Sequence, residues 1–323
     1  MAYPNYGSQA QVTGNALAIS IFSSVDPQFL DVQYPERLWQ KIIPESQRNT
    51  SVNAGAQTHV RMTKDRQGAA AFTSQLAGDN IPRVGVSIGA ITSPLAVSAV
   101  GADIHNEDAR QYEFGNLGSL PQDLQSAMVE AAANLVEVTV IFGDPTVDFL
   151  GWLAYPQVSV NAVGQNGSGV GFSWTTKTPY FIWYDVQVAI ATMYNNTNTL
   201  FIPDTIYLPP SQFMLLQQPM VIGGTSVAVS IFEYIKKNNG FTAITGKELK
   251  IEPIRYLTGA GSGGMDRMVV QCHDDKYQEI ALPLALTMQA PIPIALGAAI
   301  FAEQKHGTYC NYQPATMAYW DGI

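Results

Sequence analysis

Charged side chains are scarce in this sequence: they make up 13% of its 323 residues, where a typical soluble domain carries about a quarter. A surface this poor in charge points to partial covering, as in obligate assemblies whose contacts resemble a domain core cut in half. Positive charge is scarcer still. The formal net charge of −9 argues against a general nucleic-acid binder, which needs clustered Lys and Arg to displace phosphate counterions. Cysteine is nearly absent: Cys272 and Cys310 are too few for a disulfide framework and suit a reducing cytoplasm. The first residues, Met1 to Gln11, lack a basic stretch followed by an apolar one, so no signal peptide is expected. A long unbroken hydrophobic run is missing too. The longest, Ile280 to Phe301, is interrupted by Pro283, Pro291 and Pro293 and followed by Glu303 and Lys305, so it is not a membrane span.

Hydrophobic residues make up 46% of the chain, enough for a sizeable core in one large or two modest domains. The start is polar and small, then reads PQFLDVQYPERLWQKIIP: extended segments and a short helix ending at Pro44, together an arm over residues 1–45. GAQTHVRMTKDRQGAAAF and IPRVGVSIGAITSPLAVSAV each alternate at period two around a small-residue bend, which predicts two long strands of an extended hairpin. Arg61, Lys64, Arg66 and Arg83 fall on it, a local positive charge on an acidic chain. That pattern suits docking on a neighbour's acidic surface, and equally a solvated hairpin that needs its charges to stay soluble.

The spacing predicts a helix over Leu120 to Phe142. Ser119 with Gln122 forms a capping-box pattern, Pro121 is tolerated in the first turn, and Gly143 and Pro145 supply the stop. Leu120, Leu124, Met128, Ala131, Leu135, Val138 and Phe142 recur three and four apart as one apolar face, on a beam roughly 35 Å long. Beyond a Gly/Asn/Ser-rich loop, Thr178 and Pro179 open a helix to about Tyr194. IPDTIYLPP reads as a strand leading into a short helix, SQFMLLQQ. Thr225 or Ser226 then caps a helix closed by Gly240, with Lys236 and Lys237 in its last turn. The rest is strand-like, so the fold class is α+β.

Patterns that suggest chemistry fail in their settings. Gly85-Val86-Ser87-Ile88-Gly89 matches a nucleophile elbow, but its flanks are strand-like and Pro94 forbids the helix that must follow. Gly259, Gly261, Gly263 and Gly264 precede MDRMVVQC, a strand where a phosphate loop needs a helix, and read as a flexible loop. Cys272, His273, Asp274 and Asp275 sit side by side; on a strand they alternate between faces and cannot converge on one ion, so they read as the turn of a hairpin. His59, His105 and His306 have no partners at metal-ligand spacing and read as structural. No catalytic residue, cofactor or metal is expected.

Six segments in order, GDNIPRVGVS, FLGWLAYPQV, TIYLPPSQFMLL, FEYIKKNN, LTGAGSGGMDRMVV and YQPATMAYWDGI, resemble the major capsid proteins of tailed phages with the Hong Kong 97-type fold. The likeness is strongest to a family long catalogued as a domain of unknown function, and it spans nearly the whole chain. It implies an N-terminal arm at 1–45, an extended loop at 46–100, a peripheral domain with a spine helix at 101–145, an axial domain at 146–285, and strands at 286–323 returning to the peripheral domain. It further implies a homo-oligomer of pentamers and hexamers forming an icosahedral virion shell, built in the host cytoplasm around double-stranded DNA that it does not bind by sequence. A mildly acidic wall suits that role, since a wall that gripped DNA would hinder filling and ejection. Scaffolding and portal proteins are expected partners, decoration proteins are left open, and no membrane is involved. Lys64 is the hairpin's only lysine, without an identifiable partner for cross-linking. An encapsulin-like compartment shares the fold; a hydrolase using Ser87 or residues 272–275 and a tail-tube or receptor-binding protein are rivals of other classes.

Overall fold

The computed structural model describes residues 35–68, 83–114, 119–165, 172–222 and 225–323, with the side chains of 225–228 left aside. The chain divides into Met1–Glu36 and Arg37–Ile323; the second unit is described below. The expected arm lies outside the described residues up to position 34.

Helix α1 (Trp39–Ile42) and strand β1 (Arg48–Asn49) lead to β2 (Thr58–Gln67) and β3 (Gly85–His105). Helices α2 (Asn106–Phe114) and α3 (Leu120–Phe142) follow, then the short strands β4 (Gly143–Asp144), β5 (Phe149–Leu150) and β6 (Ser159–Ala162). A mixed stretch holds α4 (Pro179–Asn196), β7 (Thr205–Leu208), α5 (Pro210–Leu215), β8 (Pro219–Ile222), β9 (Thr225–Ser230), α6 (Ile231–Lys237) and α7 (Gly240–Thr245). Strands complete the chain: β10 (Lys250–Pro253), β11 (Arg267–Gln271), β12 (Gln278–Ala281), β13 (Leu284–Met288), β14 (Ile292–Ile294), β15 (Gly297–Gly307), β16 (Tyr309–Asn311) and β17 (Met317–Asp321). The class is α+β.

A mixed sheet in the order β10-β7-β11-β17-β6 forms the centre. Period-two alternation deals its side chains to opposite faces. Ile206, Leu208, Met268, Val270, Ala318 and Trp320 join one core with helices α4, α6 and α7. Tyr207, Val269, Met317 and Tyr319 join a second core with Trp152 and the last turns of α3. A buried ion pair, Lys177 Nζ to Asp185 Oδ2 at 2.6 Å, fastens the loop before α4, and Trp174 Nε1 donates to the same oxygen.

The second large sheet, β13-β15-β3-β2, is built on β3, whose 21 residues pair with β2 over their first half and β15 over their second. The hairpin is therefore a continuation of a core strand. Within 286–323, β15 pairs with β3, while β17 lies between β11 and β6.

Helix α3 spans the predicted residues, with Pro121 in its first turn and Gly143 at φ +76° ending it. A Cβ at Gly143 would lie 2.4 Å from the Phe149 carbonyl. Two expectations about this helix fail. The Ser119 side chain makes no capping hydrogen bond. The buried side chains are Met128, Ala132, Val136, Thr139, Val140 and Ile141 with Glu137, while Ala131, Leu135 and Phe142 are exposed. The packed face is thus turned one residue on, about 100° around the axis, because Met128 meets Ile300 and Ala302 of β15 and the C-terminal turns meet α1 and Trp152. Among the described residues α3 alone is long and apolar enough to cross a membrane; that packed face makes it a core helix here. Glu137, fully buried on it, accepts from Arg255 at 2.7 Å and the Tyr256 hydroxyl at 2.9 Å.

Two further readings are corrected. TSVAVS (225–230) is strand β9, paired with β8, as its β-branched alternation favours. The helix begins at Ile231 with Ser230 Oγ accepting from the Glu233 amide, and Gly240 opens α7, capped by Asn239. Residues 272–275 join strands of different sheets, β11 and β12, and are no hairpin turn.

Candidate assembly interface

Strands β2 and β3 pair from Thr58 opposite Pro94 to Gln67 opposite Gly85. Opposed residues share a face. Val60, Met62, Lys64 and Arg66 therefore lie with Ala90, Ile88 and Val86 on one side, and Thr63, Asp65 and Gln67 with Gly89, Ser87 and Gly85 on the other. The first side is an apolar stripe with two cationic side chains, and none of the described residues covers it: Val60 is 49% exposed, Met62 72% and Ile88 70%. Val84, just before β3, is 76% exposed.

The ribbon's polar side is fixed at its root. Glu279 of β12 accepts from Arg61 Nη1 at 3.1 Å, the Tyr312 hydroxyl at 2.5 Å and Asn49 Nδ2 at 3.5 Å, and His59 Nε2 lies 2.8 Å away. Arg61 also stacks over the Tyr312 ring. Burial pushes the Glu279 carboxyl up, but the Tyr312 hydrogen bond and the charges of Arg61 and His59 outweigh it and hold it below its usual value. Of the four candidate contact residues, Arg61 is thus turned to its own chain. Lys64, Arg66 and Arg83 are exposed and make no ion pair among those of the described residues.

The chemical motifs fold into structure. Ser87 lies within β3. The glycine-rich loop is pinned: Asp321 accepts from the Ser262 amide at 2.8 Å and is forked by Arg267 at 2.6 and 2.9 Å, while Asp266 accepts from the Gly259 amide. A side chain at Gly261 is barred there, since its Cβ would sit 2.8 Å from the Met265 carbonyl oxygen and 3.0 Å from the Asp321 carboxyl. His273 hydrogen-bonds Tyr207 at 2.9 Å, and burial lowers its pKa. Burial pushes the Cys272 thiol up to about 12 and Cys310 up to about 11, the wrong direction for nucleophile or metal ligand. Among the described residues no cluster could hold a metal. Sequence reasoning missed Glu279, Tyr312 and the Arg267–Asp321 pair; the only signal for the charged three was a single charge in each of the short strands RMVVQ, QEIA and MAYWD.

The family described as "Major capsid protein" matches residues 68–323. The chain belongs to that family. The fold agrees with it at low identity. The capsid of Myoviridae phage XM1 superposes with a TM-score of 0.76 at 10% identity, covering 94% of this chain and 98% of that one. A solved structure from Mycobacterium phage Bobi gives 0.54 at 14% identity over 93% and 94% of the two chains. The capsid of a native GTA particle gives 0.57 at 13% identity over 98% and 99%. No curated protein matches the chain. The major capsid protein is a shell-forming component of the virion capsid that assembles with copies of itself; family and fold are those of a structural protein.

Proposed function

We propose that this major capsid protein assembles as pentamers and hexamers into the icosahedral head of a tailed phage. The head forms in the host cytoplasm, with separate scaffolding and portal proteins, and encloses double-stranded DNA without reading its sequence. The observation that carries this reading is the ribbon's uncovered apolar stripe. An exposed edge ribbon lined with Val60, Met62, Val86 and Ile88 is an aggregation liability in a lone subunit; lying on an adjoining copy, it becomes the contact that closes the shell. Lys64, Arg66 and Arg83 then dock on acidic surface of that copy, favoured by the chain's overall negative charge. Arg61 instead sets the ribbon's angle through Glu279. Residues 1–45 serve as the arm, 46–100 as the overlapping loop, 101–145 as the peripheral domain, 146–285 as the axial domain, and 286–323 as strands returning to the peripheral domain. The role is structural, with no catalysis assigned.

Electron microscopy of the full chain, expressed alone and with the proteins encoded beside it, tests the reading. Wild type forms closed shells, and a Met62→Asp, Ile88→Asp double variant stays folded by circular dichroism but forms none. Shells of normal shape and yield from the variant would overturn the ribbon's role.

A further inference from the structure

We propose that His273 is an acid-sensitive lock: as a neutral imidazole it ties helix α1 to the central sheet through a one-way chain of hydrogen bonds, and its protonation breaks that chain. Every group involved belongs to one copy of the chain, so the lock does not depend on the assembly reading.

The direction of each hydrogen bond is set by groups that can play only one part. The Trp152 indole can only donate, and its Nε1 donates to Gln271 Oε1 at 3.0 Å. That turns the Gln271 amide nitrogen the other way, where it donates to Gln278 Oε1 at 2.8 Å and faces His273 Nδ1 at 3.3 Å. Gln278 cannot turn over, because its own nitrogen donates to the Cys272 carbonyl at 3.0 Å. His273 Nδ1 is therefore an acceptor. On the far side of the ring, the Tyr207 hydroxyl gives its one hydrogen to the Lys41 carbonyl at 3.1 Å, so toward His273 Nε2, 2.9 Å away, it accepts. The imidazole is thus the Nε2–H tautomer. Gln271 lies on β11, Tyr207 on β7 and Lys41 in α1, so the chain runs from the central sheet to the described end of the stretch proposed as the arm.

An added proton has only Nδ1 to occupy, and there it points at the Gln271 nitrogen, donor against donor. Trp152, Gln271, Gln278 and Tyr207 are fully buried and cannot turn to water instead. His273 is half-buried, the one titratable link that meets solvent. Burial holds its imidazole below the usual 6.5, against Asp204 and Asp275, which favour the charged ring, and with Lys250 at the head of β10, which opposes it. Asp204 also accepts from the His273 amide at 3.3 Å, while Tyr207 and Cys272, both pushed up by burial, stay neutral. A ring released from the chain takes the proton first, so the lock is complete above about 6.5 and is lost as pH falls through the folded value.

Long-range proton–nitrogen NMR of the histidine-labelled wild-type subunit reads the tautomer directly. At pH 7.5 the His273 ring is expected as the Nε2–H form; an Nδ1–H form, or a ring already doubly protonated, overturns the proposal. Hydrogen exchange then reads the coupling to α1. Corrected for the intrinsic chemical rate, the amides of Lys41, Ile42 and Ile43 are expected to exchange up to about tenfold faster at pH 5.5 than at pH 7.5, the limit for one proton taken up on opening. Tyr207→Phe keeps the imidazole but removes the hydroxyl that joins it to Lys41, and is expected to abolish this response. Equal wild-type exchange at the two pH values, or an undiminished response in Tyr207→Phe, shows that the ring titrates without holding α1 and sinks the lock. The tautomer and the wild-type exchange decide even if the variant does not fold.

Discussion

Asp321 carries more of the structure than its place near the end of the sequence suggests. It accepts from Nε and Nη2 of the Arg267 guanidinium and from the Ser262 amide, with its side chain 4% exposed. Removing one partner of such a pair leaves the other buried and unanswered, at a cost of about 3–5 kcal/mol. Asp321→Asn is expected to lower the urea midpoint of the isolated subunit accordingly. Glu279 behaves differently because its carboxyl is held below the usual value of 4.5. The folded state resists protonation that the unfolded chain accepts, so its contribution is full above that value and lost as pH falls through the folded pKa. Glu279→Gln is expected to cost about 1.5–3 kcal/mol at pH 7. The gap between variant and wild type in urea titrations narrows as pH falls below the usual glutamate value of 4.5 and through the lowered folded value. A gap that does not narrow as the pH falls would show that Glu279 does not hold the root as a carboxylate.

Helix α3 shows how an element can be legible in extent and misread in orientation. Its length, first-turn proline and closing glycine all stand where local chemistry puts them. The side chains facing the core do not, because AAANLVEVTVIF is apolar around most of its circumference and several stripes satisfy a helical spacing. Neighbours chose among them. Ile141→Ala is expected to destabilise the subunit by about 2–5 kcal/mol, since Ile141 is fully buried. Leu135→Ala, at an exposed position, is expected to stay within about 0.5 kcal/mol. Thermal melts of the two variants check the orientation, and equal effects would contradict it.

For the whole molecule, the sparse charge and the exposed ribbon face both fit the proposed assembly, in which neighbouring copies cover part of the subunit. Lys64, Arg66 and Arg83 are exposed in the subunit, so reversing them should matter only after assembly. Lys64→Glu with Arg66→Glu is expected to leave subunit melting within about 0.5 kcal/mol of wild type while reducing shell yield. Added salt weakens wild-type shells in the same direction, because exposed charges are screened beyond about 10 Å at 0.1 M. Turbidity and sedimentation across a salt series read both effects.

The sequence by itself determined the strands of the hairpin, the bounds of α3, the start of α4 and the α+β class, because each depends on periodicity or on a Pro, Gly or Thr acting over a few residues. It also carried the family resemblance. Only the tertiary structure decided which face of α3 is buried, that β17 enters the central sheet, that residues 272–275 link two sheets, and that Arg61 serves its own chain. Those outcomes depend on partners far away in sequence: Glu279 is 218 residues from Arg61, and no local pattern encodes that distance. Spacing can announce a strand or a helix; what it packs against is settled by the competition of all the other surfaces to leave water.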